Sequence, residues 1–194
     1  TRNCLSNLNR VRTIAMTTDL SLLRLLQLVS PGLPVGAYSY SQGLECAIEE
    51  GRVKNAEEAA EWFSGILRYS LASVDLPILV RLFDAWTKND NEQVFYWSSV
   101  LKACRETSEL RDEDRNMGQA LAKLLSALDF SEAGYWHKHE HCTLATLFSL
   151  AAVRWQISKL DSLAGYTWSW LENQVLCAVK LIPLGQVAGQ RLLL

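Results

Sequence analysis

Ser30 to Glu45 reads Ser-Pro-Gly-Leu-Pro-Val-Gly-Ala-Tyr-Ser-Tyr-Ser-Gln-Gly-Leu-Glu, and the helices of this chain are organised around it. Its two prolines fix the backbone and remove donors, while its glycines permit tight turns. Ser39 and Gln42 have the spacing of a capping box, which predicts a helix from this point to Gly51. The stretch is either an ordinary connection between helices or a functional surface, and its length favours the functional surface.

The composition is that of one globular domain with a real core. The chain has 194 residues, 49% of them hydrophobic, and a net charge of −2. This balance gives no electrostatic basis for binding nucleic acid or an anionic membrane. The scattered cysteines form no Cys-x-x-Cys pair, so we expect a cytoplasmic protein without a disulfide framework, a zinc site or a cofactor. Four of them lie in or beside apolar helical sequence and are predicted to be buried, unreactive thiols: Cys46, Cys104, Cys142 and Cys177.

The N-terminal sequence lacks the pattern of a secretory signal, because residues 1–15 carry three arginines but no apolar run. Met16 is a candidate natural start, and we expect residues 1–18 to be a disordered extension. The charge-free window from Leu25 to Leu44 approaches membrane-spanning length, but prolines and polar residues interrupt it. No membrane-spanning helix is therefore predicted.

Helical spacing recurs from position 19 to the end, and no stretch alternates like a half-buried strand. The pattern predicts a first helix capped by Asp19 and stopped at Ser30, a helix opened by Asn55 and Glu58, a break at Val74–Pro77, a long helix over Ser108–Leu128, and central helices within Thr143–Gln156 and Ser162–Ile182. We predict a single all-α domain, a multi-helix bundle, over residues 19–194.

The longest predicted helix is dense in charge in its first half. Arg111 with Asp114 and Asp112 with Arg115 have the i,i+3 spacing of surface ion pairs. Asp112, Glu113 and Asp114 are interpreted as part of a solvated face rather than as an acid–base pair.

All of the histidines lie in one cluster, His137, His139 and His141. Imidazoles suit zinc, copper or nickel, and in a strand or a loop the three could converge. On a helix, residues two apart do not face each other. We favour a structural loop, with a metal site as the alternative.

Two features near the C-terminus are unusual in an apolar helical sequence. Glu172, Asn173 and Gln174 follow one another in a predicted central helix, so at least one should be buried, which is costly unless that residue is hydrogen-bonded. Gly185 and Gly189 leave a nearly bare helix face, which serves either tight packing within the chain or contact with another protein.

Four blocks of the sequence resemble, in order and spacing, the UreF family of urease accessory proteins. These blocks are Ser30–Glu45, Glu106–Gly118, Trp168–Val175 and Lys180–Arg191. The resemblance extends from Asp19 to the end of the chain. It implies an all-helical, homodimeric, non-enzymatic assembly factor that works with UreD (also called UreH) and the GTPase UreG, so that nickel carried by UreG reaches apo-urease.

The matching positions are motif residues expected to support partner surfaces or the fold rather than catalysis. They are Tyr38, Tyr40, Gln42, Glu45, Glu109, Arg111, Arg115, Glu172, Gln186, Gln190 and Arg191. Two departures stand out: family members normally continue past Arg191 with a further helix and a tail, whereas this chain ends at Leu194, and the histidine cluster is not a family motif.

Two other functions remain open at this point. The protein could be a GTPase-activating partner of UreG that inserts Arg111, Arg115 or Arg191. It could also be a nickel-binding chaperone that uses His137, His139 and His141.

Overall fold

The computed structural model of the protein describes residues 20–194, and all regular structure within that range is helical. The helices are α1 (Leu20–Val29), α2 (Leu44–Glu49), α3 (Ala56–Ile66), α4 (Leu76–Lys88), α5 (Asn91–Ala103), α6 (Ser108–Ala127), α7 (Ala133–Trp136), α8 (Leu144–Arg154), α9 (Lys159–Leu181) and α10 (Gln186–Leu192), with a 3-10 turn at Ala37–Ser39 and a π-helical segment at Leu67–Asp75. The predicted all-α class is confirmed. The predicted disorder of residues 1–18, the candidate start at Met16 and the cap by Asp19 lie outside the described residues.

Helix α8 is the centre of the fold, as predicted. Its residues from Ala145 to Ala152 are all buried, and α4 and α6 pack against it. Thr143 caps the helix by accepting a hydrogen bond from the backbone N–H of Thr146 at 3.3 Å. The indole of Trp86 donates to the carbonyl oxygen of Thr146 at 2.9 Å. These buried polar groups are therefore paired, which lets an apolar helix lie at the centre of the protein without orphan donors.

A second, smaller apolar cluster lies where α2, α3, the C-terminal part of α9 and α10 meet. It includes Leu44, Phe63, Val175, Ala178 and Ile182. A Cβ added to Gly189 would lie 2.7 Å from Cγ2 of Val179 on α9, whereas one added to Gly185 would meet nothing within 4 Å. Two roles were predicted for this glycine pair, and Gly189 has the first of them, close packing within the chain.

The predicted break at Val74–Pro77 is wrong, because α3, the π segment and α4 follow one another as one continuous helical rod. A proline inside an α-helix lacks the N–H and crowds the carbonyl four residues earlier. The wider turn of a π-helix directs backbone bonds five residues back, and the backbone N–H of Leu76, directly before Pro77, donates to the carbonyl of Leu71 with that spacing. The π segment thus accommodates Pro77 without ending the helix.

The capping predictions have mixed outcomes. Asn55 caps α3 by accepting from the N–H of Glu58 at 2.9 Å, as predicted. The predicted box of Ser39 and Gln42 is wrong, because Ser39 ends a 3-10 turn and the chain turns at Gln42 (φ +51°) before α2 begins at Leu44. Within residues 20–194, no helix is both long and apolar enough to cross a bilayer.

Helix α6 approaches the loop before α8 at Gly118. A Cβ at Gly118 would lie 2.6 Å from the carbonyl carbon and 2.8 Å from the carbonyl oxygen of Thr143. We predict that Gly118→Ala lowers the free energy of unfolding by about 1–3 kcal/mol in urea denaturation, because backbone must move. The matched control is Gly65→Ala in α3, where a Cβ meets nothing within 4 Å and alanine should stabilise the helix by up to about 1 kcal/mol. Equal effects of the two substitutions would contradict the close approach.

Candidate functional site

The Ser30–Glu45 segment forms one wall of a cleft of about 430 Å³. The π segment, α6 and α9 contribute the other walls. Among the predicted motif residues, Tyr38, Gln42 and Glu172 line this cleft. Tyr38 is 69% exposed at its rim, whereas Gln42 and Glu172 are half-buried. The motif segment is therefore part of a concave site, not a simple connection.

Gln42 fixes the conformation of this segment. Its amide nitrogen donates to the carboxylate of Glu113 at 2.7 Å, and its amide oxygen accepts from the indole N–H of Trp170 at 2.6 Å. A positive φ is uncommon for a residue with a side chain and costs free energy. The two side-chain hydrogen bonds hold Gln42 in this conformation and join the motif segment to α6 and α9.

Asn173 holds the same segment from α9. Its amide nitrogen donates to the carbonyl oxygens of Ala37 at 2.9 Å and Tyr40 at 3.2 Å, and the hydroxyl of Tyr40 accepts from Asn116 at 3.3 Å. Gln174, the next residue on α9, is 1% exposed. The prediction that at least one of these consecutive polar residues is buried is confirmed.

A buried ion-pair network that the sequence analysis missed lies beside Gln42. Arg105 bridges two carboxylates: its guanidinium approaches Asp75 at 2.6 Å and Asp114 at 2.8 Å. Asp114 also accepts the backbone N–H of Leu144 at 2.8 Å. The network thus ties together the π segment, the loop before α6, α6 itself and the start of α8.

Two predictions about the charged half of α6 are wrong. Asp114 pairs with Arg105 rather than with Arg111, and Glu113 and Asp114 are buried, being 7% and 4% exposed, rather than solvated. The predicted pair of Asp112 and Arg115 is confirmed at 2.8 Å. The spacing of residues in the sequence could have revealed the burial of Glu113. Glu113 lies one helical turn before the buried Met117, so the two residues share the inward face of α6.

Burial and the neighbouring charges shift the pKa values of this network in different ways. Burial lowers the pKa of Arg105, but Asp114 and Asp75 raise it more, so that the pKa stands well above its usual value. Burial raises the pKa of Glu113 to about 7; the hydrogen bond from Gln42 opposes this shift, and the charge of Asp114 adds to it. The fold therefore offsets little of the free energy that it costs to bury the ionised form of Glu113.

We predict that Glu113→Gln stabilises the protein above pH 7 by about 3 kcal/mol. The folded carboxyl keeps its proton up to about pH 7, whereas the unfolded one ionises near its ordinary pKa. The folded state binds more protons in that window, so stability is lost as the pH rises through it. Gln cannot ionise and can still accept the hydrogen bond from Gln42. The charged groups that act on Glu113, Asp114 and Arg105, are the same in both proteins.

Urea denaturation of both proteins from pH 4.5 to 8 measures this effect. The difference in unfolding free energy should grow with pH and level off above pH 7. The exposed substitution Glu57→Gln should show no such trend. A difference between Glu113→Gln and the wild type that does not change with pH would contradict the assignment of a raised pKa to Glu113.

The other predicted motif residues do not all gather at the cleft. Glu45 and Glu109 are exposed on α2 and α6. The last three lie exposed on α10, outside the set of residues that lines the cleft: Gln186, Gln190 and Arg191. Of the arginines considered for insertion into a GTPase, Arg111 donates to the carbonyl of Arg105 at 2.6 Å and Arg115 pairs with Asp112, so both bind groups of this chain.

The histidines form part of an aromatic surface. The ring of His139 lies 4.9 Å from that of Tyr135 and 5.6 Å from that of Phe95, and its Nδ1 accepts the backbone N–H of His141 at 3.2 Å. In the part of the chain from 20 to 194, no three His, Cys, Asp or Glu side chains are placed to hold a metal ion together.

The cysteine prediction is confirmed for Cys142 and Cys177, which are buried, and burial raises the pKa of both thiols. It is wrong for Cys46 and Cys104, which are exposed. Cys104 lies at the C-terminal end of α5, and Cys46 lies on the face of α2 away from the buried Leu44.

The UreF family model matches residues 53–194. The chain is 54% identical over 171 residues to the urease accessory protein UreF of Alkalilimnicola ehrlichii, an alignment that covers 88% of this chain and 75% of that protein. It is 47% identical to the urease accessory protein UreF of Hahella chejuensis, over 90% of this chain and 78% of the relative. It is 45% identical to the protein of the same name from a Marinomonas species, over 96% of this chain and 80% of that protein.

Proposed function

This chain belongs to the UreF family, and on that premise we propose that it is a urease accessory protein that supports nickel insertion into apo-urease without catalysing a reaction of its own. The observation that carries the proposal is the similarity to relatives named urease accessory protein over nearly the whole length of this chain.

In this proposal the protein acts as a scaffold in the cytoplasm. As a homodimer it would bind UreD (UreH), the GTPase UreG and apo-urease, and nickel would be cargo that UreG brings to the complex. A rigid scaffold promotes assembly because its partners lose less freedom when the binding surfaces are already ordered. The buried network around Arg105 and the Gln42 bonds supply that order, since both link separate elements.

The structure divides the motif residues into two groups with different proposed roles. Residues with bonds inside the chain are proposed to maintain the fold: Tyr40, Gln42, Arg111 and Arg115. The exposed motif residues, together with the half-buried Glu172 in the lining of the cleft, are proposed to meet partners: Tyr38, Glu45, Glu109, Glu172, Gln186, Gln190 and Arg191. Arg191 is the exposed member of the three arginines considered for GTPase activation.

Co-purification tests the scaffold directly. The affinity-tagged full chain, expressed with UreD and UreG, should retain both proteins through size exclusion, and light scattering of the chain alone should give twice the 21.8 kDa mass of one copy. Failure to retain either partner would contradict the proposed complex. A mass of one copy at micromolar concentration would contradict the homodimer.

A further inference from the structure

The cleft beside the motif segment is rich in acidic side chains. Five carboxylates are among its lining residues: Asp75, Glu106, Glu113, Asp114 and Glu172. Arg105 is the one basic side chain among the described residues that line it, and Asp75 and Asp114 already share its guanidinium. Glu113 is bonded instead by the neutral amide of Gln42. The charge of the cleft is therefore only partly compensated within the chain.

The same cleft contains buried polar atoms that lack partners within the described part of the chain. Gln174 is 1% exposed and lines the cleft, and its amide oxygen accepts no hydrogen bond there. The indole nitrogen of Trp62, another lining residue, likewise has no acceptor among residues 20–194. Buried polar groups are nearly always paired in native proteins, so each of these atoms calls for a partner, either a water molecule or a bound group.

The remaining walls suit a long side chain with a charged end. Leu71, Val74 and Met117 provide apolar surface, and the aromatic rings of Tyr38 and Tyr69 lie at the exposed part of the lining. Apolar walls accommodate the methylene stem of a basic side chain, and aromatic faces attract its cation.

We propose that this cleft receives an arginine side chain presented by a protein partner, with its guanidinium between the carboxyl group of Glu113 and the amide oxygen of Gln174. The bound cation would itself favour the ionised form of Glu113. A guanidinium offers several donors in a planar fork, which suits a site with two separate acceptors and aromatic rings. This inference rests on the proposed function, because it gives the chemistry by which a partner would recognise the motif surface.

An organic cation fits the site better than a metal ion does. Asp75 and Asp114 already bind Arg105, and among the described residues no three ligating side chains are positioned to hold one ion. A bare divalent cation would also leave the apolar and aromatic walls of the cleft without contacts.

An NMR titration of the full-length ¹⁵N-labelled protein tests the proposal. The probe is N-acetyl-arginine methylamide, and the indole N–H signals of Trp62 and Trp170 report on the cleft. The norleucine analogue, with a similar stem and no charge, is the matched ligand control. We expect saturable shifts with the arginine probe and at least about tenfold weaker binding of the norleucine analogue.

Glu113→Gln should weaken the arginine probe at least about tenfold, and the exposed substitution Glu57→Gln should leave binding unchanged. Glu113→Gln is expected to fold, because it removes an uncompensated buried charge. Glu172→Gln at the rim is the second variant and should weaken binding to a smaller extent. Binding that both cleft variants leave intact would overturn the proposal, as would equal affinity for the norleucine analogue, the absence of saturable shifts, or displacement of the probe by stoichiometric Ni²⁺.

These outcomes are separable from failure of the proposed function. The titration contains no partner protein and measures the cleft alone. If the chain promotes urease maturation but does not bind the arginine probe, this inference is refuted and the scaffold role is unaffected.

Discussion

Arg105→Met should lower the free energy of unfolding by about 3–5 kcal/mol, which would remove a large part of the stability of a typical domain. Arg105 is the cation that Asp75 and Asp114 share, and the side chains of these two acids are only 3% and 6% exposed. Breaking a buried pair from one side leaves charge without compensation in a poorly solvated place. Here a single substitution leaves two such carboxylates.

Urea denaturation at pH 7.5 measures this effect, and Arg115→Met is the matched control. Arg115 pairs with Asp112 on the surface of α6, where an exposed i,i+3 pair contributes at most about 0.5 kcal/mol. If the two arginine variants were equally stable, the network would not hold the elements of the fold together.

Arg191→Glu should reduce urease maturation in cells at least about tenfold while leaving the stability of the chain nearly unchanged. Gly189 packs against Val179, and Arg191, two positions further along α10, points to the opposite side of the helix and is exposed. Val187 shares that outer face one turn earlier and is 69% exposed. A charge reversal on a partner surface opposes binding, whereas the same change on an exposed helix face has little effect on folding.

The measurement is urease activity in lysates of cells whose own copy is replaced by the variant, with equal amounts of the accessory chain verified by immunoblot. Lys123→Glu, a charge reversal on the exposed face of α6 and outside the motif blocks, is the matched control and should keep full activity. Equal activity of Arg191→Glu and the wild type would remove α10 from the proposed partner surface.

Periodicity predicted the helices and the central position of α8 because burial of that helix follows from its own apolar residues. Caps such as Asn55 were also predictable, since donor and acceptor lie three residues apart. The prediction of a solvated face on α6 is wrong because it considers only pairs of nearby opposite charges. It leaves out the four-residue spacing that places Glu113 on the same face as the buried Met117. On the inward face of α6, Asp114 is buried beside the distant cation of Arg105.

The features that sequence reasoning missed depend on contacts between distant positions. Arg105 lies in a short loop, and Asp75 is 30 positions away, so no local spacing reveals their pairing. The turn at Gln42 likewise depends on Trp170, 128 positions away. The motif residues could be identified from the sequence, but the division between cleft-lining, internally bonded and exposed positions required the fold.

The most direct test of the central claim is the nickel content of urease purified from cells with and without this chain, at equal urease protein and equal nickel supply. We predict that urease from cells lacking the chain contains little nickel and hydrolyses little urea, and that expression of the chain restores both. Fully nickel-loaded, active urease in cells that lack the chain would contradict the account.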